Sequence, residues 1–116
     1  MKQYKVTITP KALLRMQKIY DHIAYRFGSP LTAERQYNRI RAAIKKLSSL
    51  PMRRPVVLLS KHSKKEIRRL YVDNFSVFYT VLEEKKQVQV LSVIYSSSDF
   101  LRELADDGIE IEDSEF

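Results

Sequence analysis

Hydrophobic residues recur with two different periods along this chain, and these periods predict its elements in order. Tyr4, Val6 and Ile8 alternate with polar residues, which predicts a half-buried strand near the amino terminus. Apolar residues then recur every three or four positions over residues 10–26 and about 31–48, which predicts two amphipathic helices. The short connection between them predicts an antiparallel hairpin. The apolar face of the first helix is predicted to carry Leu13, Met16, Ile19 or Tyr20, Ile23 and Phe27.

Residues 66–98 hold the most apolar part of the sequence and predict a three-stranded meander, with turns at Asp73-Asn74 and at residues 84–86. Apolar residues occur on both sides of its middle and last strands, which indicates an interior strand covered on both faces, or one whose second face awaits a partner. In the middle strand, the two predicted sides are Phe75, Val77, Tyr79 and Val81, and Ser76, Phe78 and Thr80. In the last strand, they are Val88, Val90, Ser92 and Ile94, and Leu91, Val93 and Tyr95.

Together these elements predict an α+β fold: an N-terminal strand, then an antiparallel two-helix hairpin packed on a mainly antiparallel sheet of four to five strands. The extra strand would come from the short apolar stretch at residues 56–59. A chain of 116 residues is long enough to bury one core. It has no cysteine, no apolar leader and no run of the roughly 18 apolar residues that a membrane span requires, so we expect a cytoplasmic protein.

Charge divides the chain into a basic body and an acidic end. Residues 99–116 hold eight acidic residues and one basic residue, whereas residues 1–98 hold 20 basic and 6 acidic ones, so their net charges are −7 and +14. A body this basic is expected to bind an anionic surface: nucleic acid, an acidic protein, or its own acidic end folded back over it. The acidic end predicts a short helix that stops at Gly108, followed by an edge strand or a disordered tail, and we favour disorder beyond Gly108.

Cationic residues precede and open the meander, beside several aromatic residues. Such a combination is typical of single-stranded nucleic-acid sites, and arginines on a strand can hold a phosphate or a carboxylate. The alternative is that the rings are core and the cations are solvated or paired with Asp73 or Glu66. No spacing indicates a metal, a cofactor or an activated nucleophile. The predicted binding residues are Lys61, Lys64, Lys65, Arg68 and Arg69, and the neighbouring rings are Tyr71, Phe75, Phe78, Tyr79 and Tyr95.

This order of elements resembles the RelE/ParE superfamily of toxins from type II toxin–antitoxin modules. The resemblance covers residues 4–99 and is carried by YKVTITP, the helical hairpin, the proline-containing loop and EIRRLYVDNFSVFYTVLEEKKQVQVLSVIYSSSD. It implies a toxin domain over residues 1–98, an acidic extension over 99–116, and a role in growth inhibition and plasmid stabilisation. It also implies neutralisation by a cognate antitoxin. RelE-like members cleave messenger RNA on the ribosome without a metal, whereas ParE-like members poison DNA gyrase.

The resemblance also implies a set of nuclease side chains, of which this chain retains only some. Lys64, Lys65, Arg69 and Tyr79 match expected positions, but Ser76 stands where arginine is usual. The run Ser96, Ser97 and Ser98 stands where basic residues or histidine are usual. Loss of two such donors would remove about 3 kcal/mol each of transition-state stabilisation. If the chain is an enzyme, the candidate catalytic residues are His62, Glu66, Arg69, Tyr79 and Tyr95.

We therefore expect a ParE-like toxin that acts by binding gyrase and needs no cofactor. One alternative is a metal-independent, ribosome-dependent endoribonuclease that binds messenger RNA through the cationic residues. Another is an inactive member of the superfamily that only binds its antitoxin. No prediction of oligomeric state follows.

Overall fold

A computed structural model of the chain describes residues 3–61 and 64–112. None of the helices in these two ranges is long and apolar enough to cross a membrane. Short 3₁₀ turns at Lys46–Ser48, Pro51–Arg53 and Glu83–Lys85 join some of the elements. In chain order the elements are β1 (Lys5–Ile8), α1 (Pro10–Arg26), α2 (Pro30–Lys45), β2 (Val56–Leu59), β3 (Glu66–Val72), β4 (Phe75–Leu82), β5 (Gln87–Tyr95) and α3 (Phe100–Asp106).

The five strands form one sheet in the order β1-β5-β4-β3-β2. β1 runs parallel to β5, and every other neighbouring pair is antiparallel. β4 lies at the centre and is buried over most of its length, which confirms the predicted interior strand. The predicted α+β class, with an N-terminal strand and a helical hairpin, is confirmed.

Both long helices begin with a hydroxyl cap followed by proline. The side chain of Thr9 accepts a hydrogen bond from the Ala12 amide, and that of Ser29 accepts one from the Thr32 amide. Proline has no amide N–H, but an N–H at the first helical position has no acceptor within the helix, so no hydrogen bond is lost there. Gly28 adopts φ +58° between the helices, a conformation that glycine takes without strain. These local features define the antiparallel hairpin that packs on one face of the sheet.

The buried stripe of α1 differs by one position from the predicted one. Met16, Ile19 and Ile23 are buried as expected, but the stripe begins at Ala12, while Leu13 is 46% exposed. Adjacent helical residues lie about 100° apart around the axis, so Leu13 points away from the sheet. Phe27 follows the last helical residue at the hairpin tip and is 68% exposed. The predicted burial of Leu13 and Phe27 is therefore wrong.

A bulge in β5 changes which residues share a face. Phe78 pairs with Ser92 and Tyr79 pairs with Val90, which leaves Leu91 as an extra residue on β5. As a result, Val90 and Val93 both belong to the core beneath the helices, and Leu91 packs on the other face. The strict alternation predicted for the last strand is wrong at this point, because the apolar pattern on both faces gives no sign of the extra residue.

The face of the sheet opposite the helical hairpin has a second, smaller core, made by Ile67, Phe78, Ile94 and Leu104. Leu104 comes from α3 and is fully buried, so the acidic end of the chain supplies part of this core. We refer to residues 99–112 as the C-terminal cover.

The C-terminal cover continues past Gly108 along the outer edge of β2. The Lys61 amide donates to the Glu110 carbonyl at 2.7 Å, and the Glu112 amide donates to the Leu59 carbonyl at 2.8 Å. Ser60 and Ile111 form an isolated antiparallel bridge. The expected disorder is therefore wrong for residues 109–112, because β2 offers free backbone groups with which they pair. Residues 113–116 lie outside the described part of the chain.

Candidate functional site

Arg68 and Arg69, predicted to form one cluster, point to opposite faces of the sheet, as successive residues of a strand must. Arg68 lies on the helix side, where its guanidinium donates to the carbonyl of Met52 at 3.1 Å and to that of Arg54. Arg69 lies on the opposite face, beside α3. Arg68 thus links the proline-containing loop to β3, whereas the guanidinium of Arg69 lies on the other face of the sheet.

Three aromatic rings surround the Arg69 guanidinium. Its Cζ lies 4.6 Å from the ring centroid of Tyr71, 4.7 Å from that of Phe100 and 5.3 Å from that of Phe78. Tyr71 is two residues further along β3, Phe78 is the direct partner of Arg69 on β4, and Phe100 begins α3. A cation over ring faces is favoured by the ring quadrupoles, and more so where water is partly excluded.

Two serines hold the remaining side of this guanidinium. Arg69 Nε donates to Ser76 Oγ at 2.9 Å, and Ser76 Oγ lies 2.8 Å from Ser96 Oγ. Ser76 is fully buried. These are two of the positions at which the resemblance to nucleases implied cationic residues. We name the group formed by Arg69, Tyr71, Ser76, Phe78, Ser96 and Phe100 the Arg69 site.

The guanidinium retains a free edge. Within residues 3–61 and 64–112, Arg69 Nη1 and Nη2 have no hydrogen-bond partner, and no carboxylate forms an ion pair with them. The side chain is half-buried, and neither nitrogen is among the buried polar atoms that lack a partner, so this edge is accessible to solvent. The arrangement therefore offers two parallel donors at the protein surface, in an orientation that the rings and Ser76 hold.

The predicted lysines belong to the β2–β3 loop, next to the C-terminal cover. Lys64 Nζ lies 3.0 Å from Glu112 Oε1, and Lys61 bonds through its backbone to residue 110. The side chains of Lys61 and Lys65 are exposed. The acidic end thus lies against the cationic loop and pairs with one of its lysines. His62 lies outside the described residues.

The predicted proton carriers within the described chain are not gathered at the Arg69 site. Tyr79 is fully buried on the helix side, where its hydroxyl donates to the Pro51 carbonyl at 2.6 Å. Burial raises the pKa of Tyr79. Tyr95 packs on Phe75 in the same core, with ring centroids 4.5 Å apart. Glu66 is exposed at the start of β3.

Ionic contacts fasten α3 to α1. Arg15 Nη1 lies 2.9 Å from Glu103 Oε1, and its Nε lies 3.0 Å from Asp107 Oδ2. Arg15 Nη2 also donates to the Glu103 carbonyl at 2.9 Å. The buried Ser92 donates to Asp107 Oδ2 at 2.9 Å, and Lys11 donates to the Asp107 carbonyl at 2.8 Å. These contacts hold the C-terminal end of α3 in place. Because a helix is rigid, they also fix the position of Phe100, at its N-terminal end, against Arg69.

A cationic groove that was not predicted from the sequence lies between the end of α2, the loop that follows it, and β3. Its volume is about 510 Å³, and its floor includes Leu47, Leu70 and Val72. The signal was present in the basic outer face of the second helix and in PMRRP, but only the fold brings the two together. The charged residues of the groove are Arg39, Lys46, Arg53, Arg54 and Asp73.

Two of the lining residues of this groove form an ion pair. Arg39 binds Asp73 through two parallel bonds, Nε to Oδ2 and Nη2 to Oδ1, each 2.8 Å long. Gln36 also donates to Asp73 Oδ2 at 3.0 Å. The hydrogen bonds from Arg39 and then from Gln36 lower the pKa of Asp73 to about 2.

Within residues 3–61 and 64–112, no three histidine, cysteine or acidic side chains are grouped so that they could bind a metal ion. The Arg69 site itself offers oriented N–H donors that can recognise an anion.

The sequence of residues 6–100 matches the model of the family described as ParE toxin of the type II toxin–antitoxin system parDE. No curated protein matches the sequence at a significant level. The chain belongs to the ParE toxin family, within the RelE/ParE superfamily of type II toxins, which confirms the superfamily predicted from the sequence.

Solved structures share this fold at low sequence identity. The chromosomal ParDE toxin–antitoxin system from P. aeruginosa is similar with a TM-score of 0.64 and 22% identity, over 82% of this chain and 98% of that chain. The archaeal RelE–RelB complex from Pyrococcus horikoshii OT3 gives 0.56 and 18%, over 84% and 98%. The toxin–antitoxin complex RelBE2 from Mycobacterium tuberculosis gives 0.54 and 18%, over 80% and 98%.

Proposed function

We propose that this chain is the toxin of a type II module, that it acts by binding DNA gyrase, and that it does not cleave RNA. It would act in the cytoplasm, where its target is found. Family membership supports the toxin role, and the choice of target rests on the chemistry of the Arg69 site.

The observation that carries the proposal is the pair of serines beside Arg69. RNA cleavage needs a proton acceptor near the 2′-hydroxyl and several donors around the developing phosphorane charge. Ser76 and Ser96 fill the neighbouring positions with a neutral hydroxyl pair, 2.8 Å apart, that bonds to Arg69. Tyr79 is buried on the opposite face, and Arg68 is engaged by loop carbonyls. One oriented guanidinium supports binding better than it supports catalysis.

We further propose that a cognate antitoxin neutralises the chain. The similar ParDE and RelE–RelB structures are of toxin–antitoxin systems. The basic body, with 20 basic and 6 acidic residues over positions 1–98, suits an acidic antitoxin segment. Co-expression with the product of the adjoining reading frame should restore growth of cells that express the toxin.

The target is tested with purified components. Supercoiling by gyrase should fall as the purified chain is added, and cleaved DNA should accumulate. In parallel, primer extension on translated messenger RNA should show no new 5′ ends. New 5′ ends that disappear in Arg69→Ala, together with unimpaired supercoiling, would instead support the ribonuclease.

A further inference from the structure

We propose that the Arg69 site is an anchor for a carboxylate of a protein partner. An aspartate or glutamate side chain, flanked by apolar residues, would bind to the free edge of the Arg69 guanidinium. The inference rests on the proposed function only in taking the partner to be a protein.

The Arg69 guanidinium is held in place before any ligand arrives. Its faces lie against Tyr71 and Phe100, at 4.6 and 4.7 Å, and its Nε is bonded to Ser76. Nη1 and Nη2 have no hydrogen-bond partner among the described residues. Two parallel N–H donors match the two oxygens of a carboxylate, and fixing them beforehand reduces the entropy lost on binding.

The surroundings of Arg69 suit a carboxylate better than a nucleic-acid backbone. A nucleic-acid backbone is bound by several cations in succession along its phosphates. Here the neighbouring Arg68 points to the opposite face, and Lys64, in the β2–β3 loop, is paired with Glu112. A single guanidinium among rings and hydroxyls offers one bidentate contact within an apolar surround, which suits one carboxylate between apolar side chains.

The rings themselves are poorly placed to stack nucleobases. Phe78 is fully buried and stacks on Phe100 with centroids 5.5 Å apart. The ring of Tyr71 is turned to Arg69. The aromatic part of the site therefore serves to orient the guanidinium and to lower the local dielectric, both of which strengthen a charge-assisted hydrogen bond.

The two serines are positioning residues in this scheme. Ser76 Oγ accepts from Arg69 Nε and is itself bonded to Ser96 Oγ. Ser76→Ala would remove the acceptor, so the guanidinium could turn within its cage. Loss of one such hydrogen bond corresponds to roughly a fivefold weaker carboxylate contact.

Titration of the ¹⁵N-labelled full chain, observed through its arginine side-chain signals, tests the proposal. The probes are the dipeptide N-acetyl-Glu-Leu-amide and the dinucleotide uridylyl-uridine. The dipeptide should shift the Arg69 signals in a saturable manner, at lower concentration than it shifts those of other exposed arginines. In Arg69→Lys, which keeps the charge but lacks the paired donors, binding is followed through the backbone amides of Tyr71 and Phe100, and the saturable shifts that the dipeptide causes there in the wild type should be lost. Ser76→Ala should weaken dipeptide binding roughly fivefold.

Several results would overturn the proposal. They are a larger response of Arg69 to uridylyl-uridine than to the dipeptide, a response no different from that of the other arginines, and saturable binding that survives in Arg69→Lys. Backbone amide spectra of both variants establish that they are folded. Because the titration contains no gyrase, its outcome is independent of the target. If the chain inhibits gyrase but the dipeptide gives no saturable response at Arg69, the anchor is wrong while the proposed function stands.

Discussion

Replacement of Arg15 by methionine tests whether the C-terminal cover is fastened as the structure indicates. Arg15→Met keeps most of the aliphatic stem but removes the guanidinium. Three contacts disappear: those to the carboxylates of Glu103 and Asp107, at 2.9 and 3.0 Å, and that to the Glu103 carbonyl. Two carboxylates then remain beside the sheet without their cation.

The expected cost follows from how far these side chains are buried. Breaking a buried ion pair by removing one partner costs about 3–5 kcal/mol, whereas an exposed pair contributes about 0–1 kcal/mol. The side chain of Arg15 is 20% exposed, and those of Glu103 and Asp107 are 29% and 13% exposed. An intermediate loss of about 2 kcal/mol in the free energy of unfolding is therefore expected.

Urea unfolding measures this loss, and amide hydrogen exchange shows where the structure opens. Arg15→Met is expected to speed amide exchange at Glu103 and Asp107, near the end of α3, more than it speeds exchange in β4. Arg39→Met is the control, because the Arg39–Asp73 pair has a similar N···O distance, 2.8 Å, but side chains that are 66% and 31% exposed. A much smaller loss is expected there. A triple variant that adds Glu103→Gln and Asp107→Asn should recover much of the stability, since no charge is then left unpaired.

Two results would refute this reasoning. The first is a loss in Arg15→Met no greater than that in Arg39→Met. The second is unchanged hydrogen exchange in α3. Either would mean that α3 is held by Leu104 and its apolar neighbours alone.

Three further predictions concern other parts of the chain. The pKa of Asp73 is lowered from 3.8 to about 2, so the stability due to its pair with Arg39 is present above the ordinary pKa and is lost as the pH falls towards 2. Titration followed by the carboxyl ¹³C signal of Asp73 should show the lowered midpoint, and a midpoint unmoved by Arg39→Met would contradict this prediction. Tyr79→Phe leaves a buried carbonyl without its donor and should cost about 1–2 kcal/mol in urea unfolding; an effect as small as that of Tyr71→Phe would contradict this. Deletion of residues 109–116 should tighten binding of single-stranded RNA at low salt, because lysines are uncovered; unchanged affinity would disprove shielding by the acidic end.

Local signals in the sequence were sufficient to predict most of the fold. Thr9-Pro10 marks the start of α1 through a bond that spans only three residues, so no knowledge of the tertiary structure is needed. The predicted start of the second helix, at about residue 31, is one residue late, because Ser29 caps a helix that begins at Pro30. The bulge at Leu91 is different, because apolar residues line both faces of β5 and every register has a similar hydrophobic pattern. The pairing of residues 109–112 with β2 also depends on which strand is left at the sheet edge.

The site was predicted less well, for geometric reasons. The basic and aromatic residues around the meander were recognised, but strand alternation sends Arg68 and Arg69 to opposite faces. The bond between Ser76 and Ser96 joins residues 20 positions apart and depends on strand register. Phe100 completes the Arg69 site only because α3 folds back over the sheet. The resemblance to the superfamily's nucleases implied cations where Ser76 and Ser96 stand, and in the structure Ser76 accepts a hydrogen bond from Arg69 and lies beside Ser96.

The most direct test of the proposed function is DNA supercoiling by purified gyrase in the presence of increasing amounts of the purified chain. Loss of supercoiling and accumulation of cleaved DNA are expected, both relieved by the cognate antitoxin. If the chain arrests growth when it is expressed in cells, but supercoiling is undiminished at a large excess of the purified chain, gyrase is not its target.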